Sequence, residues 1–364
     1  MNHLPNPRRG DPAAVRAGVS AAGFAAARFS AADAAIRARS GYGPTPLLRL
    51  DGLAARLGLG ALLVKDERRR FGLRSFKALG GPYAVAELAR GATAGETVVT
   101  CASAGNHGQG VAAGARLLGA RCVVFLPRGT APQRVGAISA LGAEPVVLEA
   151  SYDEAVAHAA RVARDRGWLF VPDSSAHGDE EAALLVMLAY GTILREVDDA
   201  LTAAAGPRPT HLFVQGGVGG LAGALAAWSA LHWGEHAPRL VVVEPERADC
   251  LWTSALEGRA ARTARDLATG MAGLACGQAS PLAWTVLSPA TADFVTVSDA
   301  EVAAMIDDLA APAGSDPVIR TSLSGAAGLA PLRALPAAHG VARALGLGER
   351  SCVLAVVTED ALDE

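Results

Sequence analysis

Lysine is nearly absent from this chain. Of 364 residues and 33 lysine or arginine side chains, only Lys65 and Lys77 are lysines. Long apolar runs are missing too. Glycine, proline or a charge interrupts each within about a dozen residues, too few to cross a bilayer as a helix. There is no sustained basic run and the net charge is −3, which argues against nucleic acid or an anionic membrane as partner. The cysteines (Cys101, Cys122, Cys250, Cys276, Cys352) are odd in number and form no CxxC pair. That speaks against a disulfide framework or a zinc site and for reduced, cytoplasmic thiols. Met1 to Arg9 hold no apolar secretory core.

What is present is a large α/β pattern. Hydrophobic residues make up 51%, enough for a sizeable core, and the length implies two domains or one large one. Short β-branched runs read as strands at 61–65, 96–100, 121–127, 144–148, 168–171, 210–215, 239–244, 294–297 and 352–358. Helical patterns fall at 77–89, 110–118, 133–141, 152–165 and 180–196. This alternation predicts a parallel sheet with helical crossovers. Residues 1–40 read as a loose arm followed by helix, and 41–47 as turn punctuation. The pattern divides into two α/β units: a large one from 1–84 and 186–364, and a small one inserted at 85–185.

The scarcity of lysine gives Lys77 its interest. Arginine keeps its proton at working pH, whereas lysine loses it when burial or a neighbouring cation lowers its pKa. Lys77 lies between Ser75-Phe76 and Ala78-Leu-Gly-Gly81, and is a candidate Schiff-base amine. The plainer alternative is a surface lysine with a snorkelling stem. Gln215-Gly-Gly-Val-Gly-Gly-Leu-Ala-Gly223 follows a strand and opens a helix. Its glycines let an anion approach the free N–H groups of the helix start. It is a candidate phosphate cradle, or else a tight, closely packed turn; no Lys-Ser/Thr follows to make it a Walker motif.

Cys101-Ala-Ser-Ala-Gly-Asn-His-Gly108 puts Ser103, Asn106 and His107 on a small-residue turn. Such a loop can hold a carboxylate, and Asn106 can hydrogen-bond a ring oxygen; the alternative is an N-cap turn. Asp173 ends a strand on the edge where open α/β sheets bind ligands, or caps the next helix. Together these features fit pyridoxal 5′-phosphate, an electron sink carried on a lysine.

The same stretches carry a resemblance. Lys65-Asp-Glu-Arg-Arg-Arg-Phe-Gly-Leu-Arg-Ser-Phe-Lys-Ala-Leu-Gly-Gly81 resembles the lysine segment of the diaminopropionate ammonia-lyases. These are fold-type II pyridoxal-phosphate enzymes of the threonine dehydratase-like superfamily. Residues 215–223 resemble their phosphate loop, and Glu244-Pro-Glu-Arg-Ala-Asp-Cys250 and Met271-Ala-Gly-Leu-Ala-Cys-Gly277 are similar to further family strings. The likeness covers 41–360. It implies a tryptophan synthase β-like pair of α/β domains with the cofactor in the cleft between them. It implies that Lys77 carries the cofactor, and that Gly217, Val218, Gly219, Gly220 and Leu221 bind its phosphate. Asn106 would bind the ring hydroxyl and Thr358 would face the pyridine nitrogen. Ser103, Ala104, Gly105 and His107 would meet the substrate.

The implied reaction is α,β-elimination of ammonia or water from a small β-substituted amino acid of the 2,3-diaminopropionate kind. A 2-keto acid and ammonia are the products, and the enzyme is expected to be a homodimer. Lys77 or Asp173 removes the α-proton, and the other protonates the leaving group.

Three departures qualify the resemblance. Ala104-Gly-Asn-His-Gly108 stands where the lyases carry Asp-Gly-Asn-His-Gly, whose aspartate is understood as the base for the D-isomer. Ser-Ala-Gly-Asn-His is instead similar to threonine and serine dehydratases. Ser174-Ser-Ala-His-Gly-Asp179 replaces a bulkier Thr-Ala-Trp-Glu-Gly-Tyr, so a different pocket is expected. Leu323-Ser-Gly325 replaces Glu-Ser-Gly. Two rival expectations follow: a serine/threonine-type dehydratase or β-replacement synthase, and a cofactor-binding protein with degraded catalysis.

Overall fold

The β-branched runs become two separate sheets. The computed structural model describes residues 1–175, 179–333 and 339–361. The strands are β1 (Asn2–Pro5), β2 (Leu47–Arg49), β3 (Ala61–Asp66), β4 (Val98–Cys101), β5 (Arg121–Leu126), β6 (Glu144–Val147), β7 (Leu169–Phe170), β8 (His211–Gln215), β9 (Arg239–Pro245), β10 (Thr291–Val297) and β11 (Cys352–Val357). The larger sheet runs β1-β10-β9-β8-β11-β3-β2 and the smaller β6-β5-β4-β7. The smaller is wholly parallel. In the larger, only β1 on β10 and β2 on β3 are antiparallel. Strands β3, β8 and β11 are buried along their whole length, as continuous apolar runs in a covered parallel sheet must be.

One reading of the N-terminal region needs correction. The stretch taken for a loose arm begins with β1, whose Leu4 opposes Phe294. The Asn6 amide fixes the turn after it by donating to Ser288 O (2.8 Å) and Thr291 O (2.7 Å). Its pairing partner lies far along the chain, so nothing local announced it. The turn at 41–47 runs directly into β2, an edge strand of similar invisibility. The helix expected at 110–118 starts earlier, spanning Asn106–Leu118, and that at 180–196 continues to Ala203.

Lys77 opens the Lys77–Leu88 helix. This helix meets the Asn106–Leu118 helix backbone to backbone. A Cβ on Gly110 would lie 2.6 Å from the Lys77 carbonyl oxygen, closer than any side chain permits. Glycine there lets the lysine helix and the carboxylate-loop helix share one wall.

The chain from β3 to Lys77 is anchored by buried charge. Arg70 donates to Glu67 (2.7 and 2.8 Å) and to Glu196 (2.7 and 2.8 Å). Lys65 Nζ donates to Glu196 Oε2 at 2.6 Å and to the Thr45 carbonyl at 2.6 Å. The Tyr42 hydroxyl donates to Glu196 at 2.9 Å, and the Thr45 hydroxyl to Glu67 at 2.6 Å. All four charged side chains are at most 1% exposed. Burial alone would raise the Glu67 pKa, but Arg70 and Lys65 outweigh it and hold it down to about 2.

Two cations balance two anions, so the cluster is neutral and tolerable in the core. The loop beyond it is strained. Phe71 and Arg74 hold positive φ of 49° and 60°, a cost of about 1–3 kcal/mol each. Arg39 stacks 3.8 Å over the Phe71 ring centroid and donates to Ala78 O, holding the bend.

Removing Arg70 leaves Lys65 alone against two buried carboxylates, one of them uncompensated. Arg70→Ala is therefore expected to lower unfolding stability by about 3–5 kcal/mol, read from the denaturant midpoint. Arg128→Ala, an exposed arginine loosely paired with Glu149, should change it by less than about 1 kcal/mol.

Candidate active site

The carboxyl ends of the parallel strands converge on one cavity of about 820 Å³. β4 leads into Ser103–His107, β7 into Asp173, β8 into the glycine turn, and β11 into Thr358. Lys77, Ser103, Ala104, Gly105, Asn106, His107, Asp173, Gly217, Val218, Gly220, Leu221 and Thr358 all line it. Gly219 is the one residue of that set that does not reach the wall. It caps the Gly220–His232 helix at φ 100°, and a Cβ there would meet Leu287 at 3.0 Å. Its contribution is backbone shape.

Lys77 projects from its helix into the cavity. Its Nζ lies 5.4 Å from the Phe76 ring centroid and 5.9 Å from that of Tyr190. Burial penalises the ammonium, but Tyr190, Asp173 and Cys276 together outweigh it and hold the pKa above its ordinary value. The sequence led us to expect the reverse. The difference arises because the neighbours are acids rather than cations, so the amine rests protonated. Two backbone ties fix the segment before it: Phe76 N donates to Thr358 O at 3.0 Å, and Ser75 bridges Glu359.

The glycine turn leaves a helix start open. No side chain caps the Gly220–His232 helix, although Gly217, Val218, Gly220 and Leu221 face the cavity. A Cβ on Gly220 would have only Asp173 O and Met187 Cγ within reach, both at 3.8 Å. Uncapped N–H groups at an open helix start form an anion site. The Thr358 side chain is buried at the cavity wall with its hydroxyl unpaired among the described residues. A lysine amine, an uncapped helix start and a free hydroxyl are the aldehyde, phosphate and ring-nitrogen partners that pyridoxal phosphate requires. The residues present fit that cofactor.

On the opposite wall, Ser103 Oγ accepts from Gly105 N at 3.3 Å and shapes the loop. His107 Nε2 donates to Val171 O at 2.8 Å, leaving Nδ1 without a partner. Burial, with help from nearby Lys77, lowers the His107 pKa, so the ring is neutral. The hydrogen bond ties the carboxylate loop to the segment that bears Asp173.

Of the departing segment at 174–179, Ser174 lines the cavity. Ser175 is buried, with Oγ 3.1 Å from Ser280 Oγ and accepting from Leu282 N at 3.0 Å. Ala176, His177 and Gly178 lie outside the described residues. Leu323 packs against an apolar cluster, while Ser324 reaches the cavity.

Four participants escaped the sequence reading. Tyr190 comes from the middle of the Glu180–Ala203 helix. Cys276 lies on the wall as a thiol, burial and Asp173 pushing its pKa up to about 12. Glu359 adjoins Thr358, accepting from Asn106 Nδ2 at 2.5 Å and from the Ser322 hydroxyl. Glu244 lies directly behind the glycine turn, where a Cβ on Gly216 would stand 2.7 Å from its Cγ. The strings at 244–250 and 271–277 flagged Glu244 and Cys276 without a role; for Tyr190 and Glu359 only tertiary contact supplies the signal.

Glu244 accepts from Leu251 N and Trp252 N, each at 2.8 Å. Burial nevertheless pushes its pKa from 4.5 up to about 8. Between those values the folded chain binds a proton that the unfolded chain releases, so this group's contribution to stability falls as pH rises. Glu244→Gln should flatten that decline. Unfolding free energies of both proteins at pH 5 and pH 8.5, on the order of the two limits, are the check. An unchanged slope would contradict the shift.

Comparison with known proteins gives concordant results. The family described as "Pyridoxal-phosphate dependent enzyme" matches residues 38–358. The diaminopropionate ammonia-lyase of Escherichia coli is 36% identical over 343 residues, covering 89% of this chain and 86% of its own. That of Salmonella typhimurium is 36% identical over 311 residues, covering 79% and 77%. The crystal structure of the Escherichia coli lyase in complex with an aminoacrylate-PLP azomethine reaction intermediate matches with a TM-score of 0.87 at 33% identity. That match covers 99% of this chain and 93% of that one. A threonine deaminase of Solanum lycopersicum shares the fold, with a TM-score of 0.78 at 22% identity, covering 100% and 94%.

Proposed function

We propose how this cleft works from one premise: the chain belongs to the pyridoxal-phosphate-dependent enzyme family and, within it, to the diaminopropionate ammonia-lyases. Its fold is that of fold-type II enzymes. Its reaction is pyridoxal-phosphate-dependent α,β-elimination of ammonia from a small amino acid of the 2,3-diaminopropionate kind, giving a 2-keto acid and ammonia. The observation that carries the residue assignments is the convergence of Lys77, the uncapped glycine turn and the Thr358 hydroxyl on one cavity.

When bound, the cofactor supplies an electron sink for the charge left at the substrate's α-carbon. Lys77 Nζ would hold it covalently. The N–H groups around Gly217, Val218, Gly220 and Leu221 would bind its phosphate, with Gly219 setting their direction. Asn106 would bind the ring oxygen. Thr358 offers the ring nitrogen a neutral hydroxyl, which does not enforce ring protonation as an aspartate would.

The loop Ser103-Ala-Gly105, running into the Asn106 helix start, receives the substrate carboxylate. His107 anchors that loop. Lys77 and Asp173 share the proton work: one takes the α-proton while the other gives a proton to the departing amine. Ala104 brings only a methyl to the opposite face. We assign residues 1–84 with 186–364 to the large unit and 85–185 to the small one, consistent with the two sheets, and propose a cytoplasmic homodimer. No helix among the described residues is long and apolar enough to cross a membrane.

Lys77→Ala is expected to lose the absorption of covalently bound cofactor and all ammonia release. The assay is a panel of both diaminopropionate isomers, serine, threonine and hydroxyaspartate. Trapping of the cofactor on Lys65 after borohydride reduction would overturn the assignment, as would a β-substituted amino acid product the reaction.

Asp173 as the carboxylate of the proton transfer predicts an isomer preference. A D-α-proton meets Ala104 rather than a base, and a general base contributes about 10²–10⁴-fold. The wild type should favour L over D by at least about 10² in kcat/KM, and Asp173→Asn should depress L-turnover by a similar factor. Ala104→Asp should gain D-turnover. Comparable wild-type rates on both isomers would refute the single-base reading.

A further inference from the structure

The Asn106 side chain is held by a residue the reaction does not itself require. Glu359 follows Thr358 at the end of β11, and its backbone is fixed from two sides. Its carbonyl accepts from Thr321 Oγ1 at 2.5 Å, and it bridges Ser75. The carboxylate reaches across the cavity from the large sheet to the helix that follows β4. There Oε2 accepts from Asn106 Nδ2 at 2.5 Å, and Oε1 accepts from the Ser322 hydroxyl. Asn106 makes no other side-chain hydrogen bond among the described residues.

Burial raises the Glu359 pKa, while the hydrogen bonds from Ser322 and Asn106 favour the ionised form. Both carboxylate oxygens accept here, so Asn106 turns its nitrogen, not its oxygen, toward Glu359. That choice sets the whole amide. One Nδ2 hydrogen is used, and the second hydrogen and the carbonyl take fixed directions. Without Glu359 the amide can flip end for end, since its two ends are almost the same shape. A flipped amide presents an acceptor where a ring oxygen, also an acceptor, is to be bound. Charge-assisted hydrogen bonds such as this one are the short, strong class. Ser322 holds the other carboxylate oxygen while also accepting from Gly325 N at 3.0 Å, so the carboxylate has little freedom to follow a moving amide.

We propose that Glu359 is a positioning residue: its carboxylate takes one Nδ2 hydrogen of Asn106 and thereby aims the other at the ring oxygen of the bound cofactor. This rests on the assignment of Asn106 made above. It also places one side chain of the large sheet in command of a cofactor contact on the small one.

The test is a double-mutant cycle on cofactor affinity. The full chain is dialysed free of cofactor and titrated with pyridoxal phosphate, binding being read by absorbance. Asn106→Ala should weaken binding by about tenfold, the size expected for one oriented hydrogen bond. Glu359→Ala should weaken it comparably, and Glu359→Ala/Asn106→Ala no more than Asn106→Ala alone. Glu359→Gln can turn its carbonyl to Asn106 and its amide to Ser322, and should retain affinity within about threefold. If Glu359→Ala does not fold, Glu359→Met serves in its place. Additive losses would overturn this proposal alone. Unchanged affinity in Asn106→Ala would overturn the ring-oxygen assignment and this proposal with it.

Discussion

The buried guanidinium of Arg70, held between Glu67 and Glu196, is the constraint on which the site depends. The chain must pass from the end of β3 to the start of the lysine helix through two non-glycine residues at positive φ. Such a path persists only when its surroundings over-determine it. The ion cluster fixes its beginning, Arg39 stacks on its middle, and Thr358 and Glu359 pair with its end. Glu196 sits on the same helix as Tyr190. One helix therefore sets both the anchor of the loop and the aromatic ring beside the Lys77 amine.

The acids of this region illustrate how partner chemistry decides the sign of a shift. Glu67 and Glu244 are equally buried, yet burial wins at Glu244 and loses at Glu67. The difference is the partner. Glu67 faces full cations at hydrogen-bonding distance, while Glu244 faces two backbone amides and lies near Asp249. Coulombic attraction repays desolvation only when a charge, rather than a dipole, answers it. A neutral Glu244 leaves the glycine turn above it without an opposing negative charge. At Lys77 the balance also favours the charged form, because Tyr190 and Asp173 answer the ammonium.

Two hydrogen bonds hold the turn after β4, one within the small sheet's unit and one across the cavity. His107 ties the carboxylate loop to the segment after β7. Asn106 ties the same loop to Glu359 on the large sheet. Adjacent residues at one helix start thus face in different directions, one inward to its own sheet and one across the cleft. The small residues Ala104 and Gly105, between them and Ser103, line the cavity without bulk.

Local sequence determined much of the architecture. Strand periods and glycine punctuation placed β3, β4, β5, β8, β9 and β11, and with them the edge on which the site lies. The rarity of lysine drew attention to two positions and to one kind of chemistry. The local setting and the resemblance already favoured Lys77, and tertiary structure adds the contrast between the two. Lys65 is matched to Glu196 from a distant helix, whereas Lys77 opens into a cavity. Dependence on distant partners hid β1, whose partner is β10, along with Tyr190, Glu359 and the raised pKa of Lys77. Helix and strand propensity depends on neighbours within a turn or a pleat, so a sequence displays it openly. Charge compensation depends on which groups meet after folding, and residues 65 and 196 carry no mark of each other until the chain brings them within 2.6 Å.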